Sequence, residues 1–352
     1  MWRDRHARRI ADNDAMNLMM PLRPLACAMA ALLLDACAST PVAPAPKPSF
    51  PAQLPPPKIG LALGGGAAKG FAHIGVIKML EANGIRVDVV SGTSAGSVVG
   101  ALYASGMTPY QLQTQAFALD ESKIRDVSLF SGGLVKGQKL QDYVNELLKQ
   151  KPMQDFRKPF AAVATQLDSG RRTAFVRGNA GQAVRASSSI PGVFEPATIG
   201  GKRYVDGGVV SPVPVDAVRE LGADFVIAID ISSKAGGNQP GSMLGIVNQS
   251  ITIMGEKLGA QELARADIVI RPRVGQIGAA DFEQKNVAIL EGEKATQALM
   301  PQIKARLAQL QREREAAWAK RHTLPPRPKC EPSLLDKLGR WIGRDGSCAA
   351  TD

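Results

Sequence analysis

Two strand–turn–helix units stand back to back between residues 58 and 103, and few folds accommodate them. Lys58 to Leu63 is an apolar run that ends in the turn Gly64-Gly65-Gly66-Ala67-Ala68-Lys69-Gly70. The next stretch carries Ile74, Val76, Ile77 and Leu80 at helical spacing and stops at Asn83-Gly84, an ordinary helix end. Arg86 to Val90 predicts a second strand, which feeds Gly92-Thr93-Ser94-Ala95-Gly96 and a helix over Ala95 to Tyr103. A helix between two strands carries the chain back to the starting edge, so the strands run parallel. Parallel strands this apolar are covered by helices on both faces.

Later apolar runs extend the same pattern. Phe160 to Thr165, Thr173 to Val176, Phe225 to Asp230 and Asp267 to Ile270 predict further strands. Gln138–Lys149, Pro214–Leu221 and Leu244–Ala264 predict helices between them. With 45% hydrophobic residues the chain has enough apolar side chains for a sizeable core, and no internal repeat divides it. After Arg273 the sequence turns charged and helical from Glu283 to Lys320, with Pro301 expected to break or kink that stretch.

A serine in Gly-x-Ser-x-Gly, after a strand and before a helix, sits on a sharp and exposed turn. Such a serine normally takes an imidazole as its base. The chain has only three histidines: His6 near the N-terminus, His73 beside the glycine-rich turn and His322 in a basic tail. His73 falls about three residues into the first helix and reads as a packing residue. The scarcity points instead to Asp206, which opens Asp206-Gly207-Gly208, as the partner of Ser94. An aspartate is a weak base toward a hydroxyl unless burial raises its proton affinity. Asp206 follows Arg203-Tyr204-Val205, so a strand end close to Ser94 is the expected place for it. Asp168, Asp216 and Asp230 are given no catalytic role.

A glycine-rich turn entering a helix presents backbone N–H groups to an anion. The P-loop order Gly-Lys-Ser/Thr is absent, because Lys69 precedes Gly70 and Phe71 follows. The dinucleotide pattern G-x-G-x-x-G also fails, with Lys69 or Ala67 at a required glycine. What remains is an oxyanion hole beside Ser94, or a close turn without chemistry.

Three motifs in order resemble the patatin-like phospholipases: Gly64 to Gly75, Gly92 to Gly96, and Asp206 to Gly208. Arg185-Ala186-Ser187-Ser188-Ser189-Ile190-Pro191-Gly192 resembles that family's bacterial branch, the one related to neuropathy target esterase. The likeness covers Ile59 to Pro272. It implies a three-layer α/β/α sandwich with a mostly parallel sheet. It also implies a Ser-Asp dyad that hydrolyses ester-linked acyl chains of a phospholipid, lysophospholipid or similar substrate. By that resemblance Ser94 is the nucleophile, Asp206 its base, and the amides of Gly65, Gly66 and Ala67 the oxyanion hole, with no cofactor and no metal. Ala67 stands where a glycine is frequent, and Lys69 where arginine is usual; both keep the amide and the charge. The alternative of another class is a catalytically feeble protein of the same fold that binds lipid or a partner.

The ends of the chain suggest where it works. Leu25 to Leu34 is a ten-residue apolar run, too short to span a bilayer and suited to a signal-peptide core. It leads into Leu34-Asp35-Ala36-Cys37, which resembles a lipoprotein cleavage box with Asp35 as a departure. The expected organisation is a signal peptide over 1–36, a proline-rich linker over 37–57, the phospholipase domain over 58–272, helices over 273–320 and a basic tail over 321–352. The expected location is the bacterial cell envelope, anchored at Cys37 and facing the periplasm, on the outer rather than the inner membrane. In the tail, Leu334, Leu335, Leu338, Trp341 and Ile342 recur at helical spacing among basic residues. Such a helix lies on a membrane or docks on its own core, and a disulfide between Cys330 and Cys348 would close it. The net charge of +11 favours an anionic partner. Without basic–aromatic interleaving that partner is a membrane surface and not nucleic acid; the alternative is that the surplus lysine and arginine only solubilise the surface and there is no such partner.

Overall fold

The computed structural model describes residues 54–322, except 121, 123, 125, 127–134 and 236–239. The expected signal peptide, Cys37, most of the proline-rich linker, Cys330, Cys348 and the amphipathic tail segment lie outside the described residues.

Eight strands form one sheet: β1 (Ile59–Leu63), β2 (Val89–Thr93), β3 (Phe160–Gln166), β4 (Arg172–Phe175), β5 (Ala197–Ile199), β6 (Lys202–Asp206), β7 (Phe225–Ile229) and β8 (Ile268–Ile270). The helices are α1 (Ala72–Ala82), α2 (Ala95–Ser105), α3 (Pro109–Ala118), α4 (Gln138–Leu147), α5 (Ala180–Ser187), α6 (Val215–Glu220), α7 (Met243–Leu263) and α8 (Lys285–His322). Strands β3, β2, β1, β7 and β8 are parallel neighbours in that order, while β4, β5 and β6 join antiparallel. The parallel core was expected. Of the antiparallel hairpin β5–β6 only the end of β6 at Asp206 was expected, because β5 is three residues long and carries no pattern of its own.

Alternation along β1 assigns the two faces. Ile59, Leu61 and Leu63 pack with Ile74, Ile77 and Leu80 of α1, Leu102 of α2 and Ile289 of α8. Ala62 turns the other way, toward Val213, Val215 and Val218 at α6 and Leu263 at the end of α7. The sheet is therefore sandwiched between helices. Leu61 and Leu63 are fully buried, and each such side chain contributes roughly 1.5–3 kcal/mol.

One expectation about the C-terminal part needs correction, the break at Pro301. Pro301 lies inside α8 without ending it. A proline removes one helical hydrogen bond, yet Met300 and Ile303 on either side of it are buried in the core, and that packing carries the helix through. Most of the expected helical region over 273–320 is this one helix, and α8 packs along α1 within the same compact unit as the sheet. The two helices cross at glycines. A Cβ on Gly75 would lie 2.0 Å from the Ile289 carbonyl oxygen, and one on Gly292 would lie 2.1 Å from that of Ala72.

Candidate active site

Strand β2 continues three residues past the expected Val90, through Ser91, Gly92 and Thr93, before turning sharply into α2. Ser94 makes that turn with φ 53° and ψ −124°. A side-chain-bearing residue there is strained by ~1–3 kcal/mol and persists only if its surroundings hold it. They do. The Ser94 carbonyl accepts from the Ser97 hydroxyl at 2.6 Å and from the Ser97 amide at 2.8 Å. The Ser94 N–H donates to Ser187 Oγ at 3.0 Å, and Ser187 in turn donates to the Val163 carbonyl at 2.6 Å. Gly96 lets the turn lie on β1, since a Cβ there would meet the Leu63 carbonyl oxygen at 2.2 Å.

Strand β3 brings Asp206 to Ser94. Ala162 and Val163 of β3 pair with both β2 and β4, so those two strands lie on opposite edges of β3. Ala164 and Thr165 pair with both β4 and β6, so β6 shares the edge that β2 occupies. Strand β2 runs along this edge until Thr93 opposes Val163, and β6 runs the other way until Asp206 opposes Ala164. The two strands arrive end to end, and a Cβ on Gly207 would lie 3.1 Å from Thr93 Cγ2.

Asp206 is locked in place by its backbone. Its N–H donates to the Ser189 carbonyl at 2.8 Å, and its carbonyl accepts from Thr165 Oγ1 at 2.9 Å. Carboxylate Oδ1 accepts from the Gly208 N–H at 2.7 Å, whereas Oδ2 is buried with no protein hydrogen bond of normal geometry. Burial raises the Asp206 pKa to about 6, against the pull of the Ser94 hydroxyl and the Gly208 amide, which favour the ionised form. The carboxyl thus has one free acceptor beside a serine hydroxyl and a proton affinity well above the ordinary aspartate.

The glycine turn closes the other side. His73 is fully buried, and its Nε2–H donates to the Gly64 carbonyl at 2.8 Å. Burial lowers its pKa to about 4 despite that bond, so the ring is neutral at pH 7 and serves to pin the turn. Lys69 is also buried, and its ammonium donates to Ser233 Oγ at 2.6 Å. Burial drives the Lys69 pKa down, and nearby Asp230 opposes that effect. Ala67 takes a left-handed φ of 50°.

One of the three expected anion-binding amides is corrected. The Gly65 N–H already donates to the Pro212 carbonyl at 3.0 Å, so it belongs to the framework. The amides of Gly66 and Ala67 donate to no protein acceptor among the described residues. Sequence reasoning also gave no role to Ser187 and Ser189, which fix Ser94 and Asp206 respectively; their short Ser-Ser-Ser run carries no signal of those long-range bonds.

A cavity of about 360 Å³ opens beside Ser94 and Ala67. Phe71, Val99, Leu140, Ile190, Phe194 and Phe282 line it, so its wall is almost wholly apolar. That volume and lining suit a hydrocarbon-bearing ligand.

A serine on a strained strand-to-helix turn, on a mostly parallel sheet between helices, defines an α/β protein with a nucleophile elbow. The family model for patatin, described as patatin-like phospholipase, matches residues 61–219, and that stretch is a patatin-like phospholipase domain. Among curated proteins, an uncharacterized NTE family protein of Mycobacterium tuberculosis is 34% identical over 184 residues, covering 51% of either chain. Lysophospholipase NTE1 of Pyricularia oryzae is 33% identical over 181 residues, which cover 50% of this chain and 12% of that protein. The chain spans about half the length of its mycobacterial relatives and much less of the fungal one. Among solved structures, VipD from Legionella pneumophila shares the fold with a TM-score of 0.51 at 15% identity, over 71% of this chain and 68% of that one.

Proposed function

We propose that the protein is a serine esterase acting on acyl esters of membrane lipids through Ser94 and Asp206. The observation that carries this reading is the free, buried Oδ2 of Asp206 beside the Ser94 hydroxyl. In the reaction, Ser94 Oγ attacks the ester carbonyl carbon while Asp206 Oδ2 takes its proton. The oxyanion that forms lies against the amides of Gly66 and Ala67. Collapse breaks the ester C–O bond, the Asp206 proton passes to the leaving alcohol, and an acyl-serine remains. Water then attacks with Asp206 again as base, releasing the fatty acid and restoring the serine. The apolar cavity beside Ser94 would take the acyl chain.

Lysophospholipids are the first substrates to try, because fungal relatives bear the name lysophospholipase. Purified protein incubated with lysophospholipids, diacyl phospholipids and p-nitrophenyl esters should release acid. Ser94→Ala should abolish at least ~10³-fold of that rate, and equal rates for both proteins would overturn the proposal.

We further propose that Cys37 is acylated and holds the protein on an envelope membrane, outer rather than inner. The basis is the apolar run before it and the proline-rich stretch after it; no described helix is long and apolar enough to cross a membrane. Cys37→Ser should move the protein to the soluble fraction and end palmitate incorporation. A soluble wild type would refute the anchor and leave the esterase reading untouched.

A further inference from the structure

Behind the dyad lies a buried acid that the reaction does not use. Glu262, near the end of α7, is 6% exposed and points its carboxylate at residues 211–213. Oε1 accepts from the Ser211 hydroxyl at 2.5 Å, and Oε2 accepts from the Val213 N–H at 2.8 Å. Burial pushes the Glu262 pKa up to about 7 against these two bonds; Asp216 adds to the rise and Arg265 opposes it. A buried carboxyl of this kind is costly to keep unless its hydrogen bonds do something useful.

The segment it grips touches each part of the site. The Ser211 carbonyl accepts from Thr93 Oγ1 at 2.8 Å, which fixes the residue before the nucleophile. The Pro212 carbonyl accepts from the Gly65 N–H at 3.0 Å, which fixes the glycine turn just before Gly66 and Ala67. The Ser211 N–H donates to the Gly207 carbonyl at 2.8 Å, which fixes the chain just after Asp206. Nucleophile, base and anion-binding amides thus arrive from three separate stretches and meet through one tripeptide.

Resting on the esterase reading, we infer that Glu262 is a positioning residue, whose carboxyl clamps Ser211 to Val213 and so sets the relative placement of Ser94, Asp206 and the glycine-turn amides. It lies beyond residues 61–219, the span matched by the family model. It acts through other groups and does not itself touch the reacting atoms. Losing the clamp releases all three contacts together, and misplacement of reacting groups by about 1 Å costs on the order of 10²-fold in rate.

The test compares wild type, Glu262→Ala, Glu262→Gln and Ser94→Ala on a soluble p-nitrophenyl ester, with hydrogen exchange measured in parallel. Glu262→Ala should lower kcat by ~10- to 100-fold with KM nearly unchanged. It should also speed exchange in peptides covering 60–66, 90–96 and 205–214, and leave those of α4 and α5 as they were. Glu262→Gln accepts from the Val213 N–H and still meets the Ser211 hydroxyl, so it should restore most of kcat. If Glu262→Ala does not fold, Ser211→Ala removes half of the clamp and should give a smaller loss of the same kind. An unchanged kcat, a loss carried in KM, exchange faster throughout the domain, or no rescue by glutamine would each overturn the inference. If wild type and Ser94→Ala hydrolyse the ester equally, the esterase reading fails on its own, and hydrogen exchange alone decides the clamp.

Discussion

Asp206→Asn should cost the protein its activity and make its fold more stable above pH 6. The introduced amide keeps the size of the side chain and still accepts from the Gly208 N–H, while its NH₂ donates toward the Ser94 hydroxyl. Burial raises the Asp206 pKa from 3.8 to about 6. At about 1.4 kcal/mol per pH unit, that difference makes the ionised carboxylate about 3 kcal/mol less favourable in the folded protein than in the unfolded chain. The folded pKa lies above the unfolded one, so the proton-linked stability is fully present below pH 3.8 and is lost as pH rises through about 6. The amide does not titrate, and it escapes that loss. At roughly 2–4 °C per kcal/mol for a domain of this size, the variant should melt ~6–12 °C above wild type at pH 8, and the gap should close toward pH 4. Glu262 titrates alike in both proteins and cancels in the difference. Circular dichroism melts at whole pH values from 4 to 8 measure it. A gap independent of pH, or a variant that melts lower at pH 8, would refute the electrostatic account of Asp206.

The same proton affinity limits the reaction. In the proposed reaction Asp206 acts ionised, so kcat/KM of the wild type should fall about tenfold per pH unit below about 6; a limb centred near pH 4 would mean that the carboxyl is not held by burial. Gly75→Ala should lower stability by ~1–3 kcal/mol despite alanine's better helix propensity, because its Cβ would meet the Ile289 carbonyl oxygen at 2.0 Å. An unchanged melting temperature would show that α1 and α8 separate freely.

The parts of the fold written in contiguous stretches were legible. The β1–turn–α1 and β2–turn–α2 units rest on apolar runs and glycines within a few residues of one another, so local pattern suffices. The ends of β2 were misplaced, because Ser91 and Gly92 are poor strand formers held in line by β1 and β3. Helix α3 carried a readable signal that hydrophobic spacing concealed: Thr108 caps it in a reciprocal box with Gln111, and Pro109 opens it. The candidate site divides in the same way. Ser94 and Asp206 stand out from their own neighbours in sequence. Which amide of Gly65, Gly66 and Ala67 stays free depends on the Pro212 carbonyl, and no local pattern shows that bond. Ser187, Ser189 and Glu262 are hidden for the same reason, each defined by a partner far along the chain.

Strand β7 lies outside the matched stretch, yet it hydrogen-bonds the full length of β1, from Ile59 opposite Phe225 to Leu63 opposite Ile229. A polypeptide ended at 219 would leave β1 as an open, wholly apolar sheet margin, with the glycine turn hanging from its end. Bare margins of that kind recruit other chains. Such a shortened protein should be lost to aggregation before its chemistry is ever measured, so an inactive fragment would say nothing about Ser94.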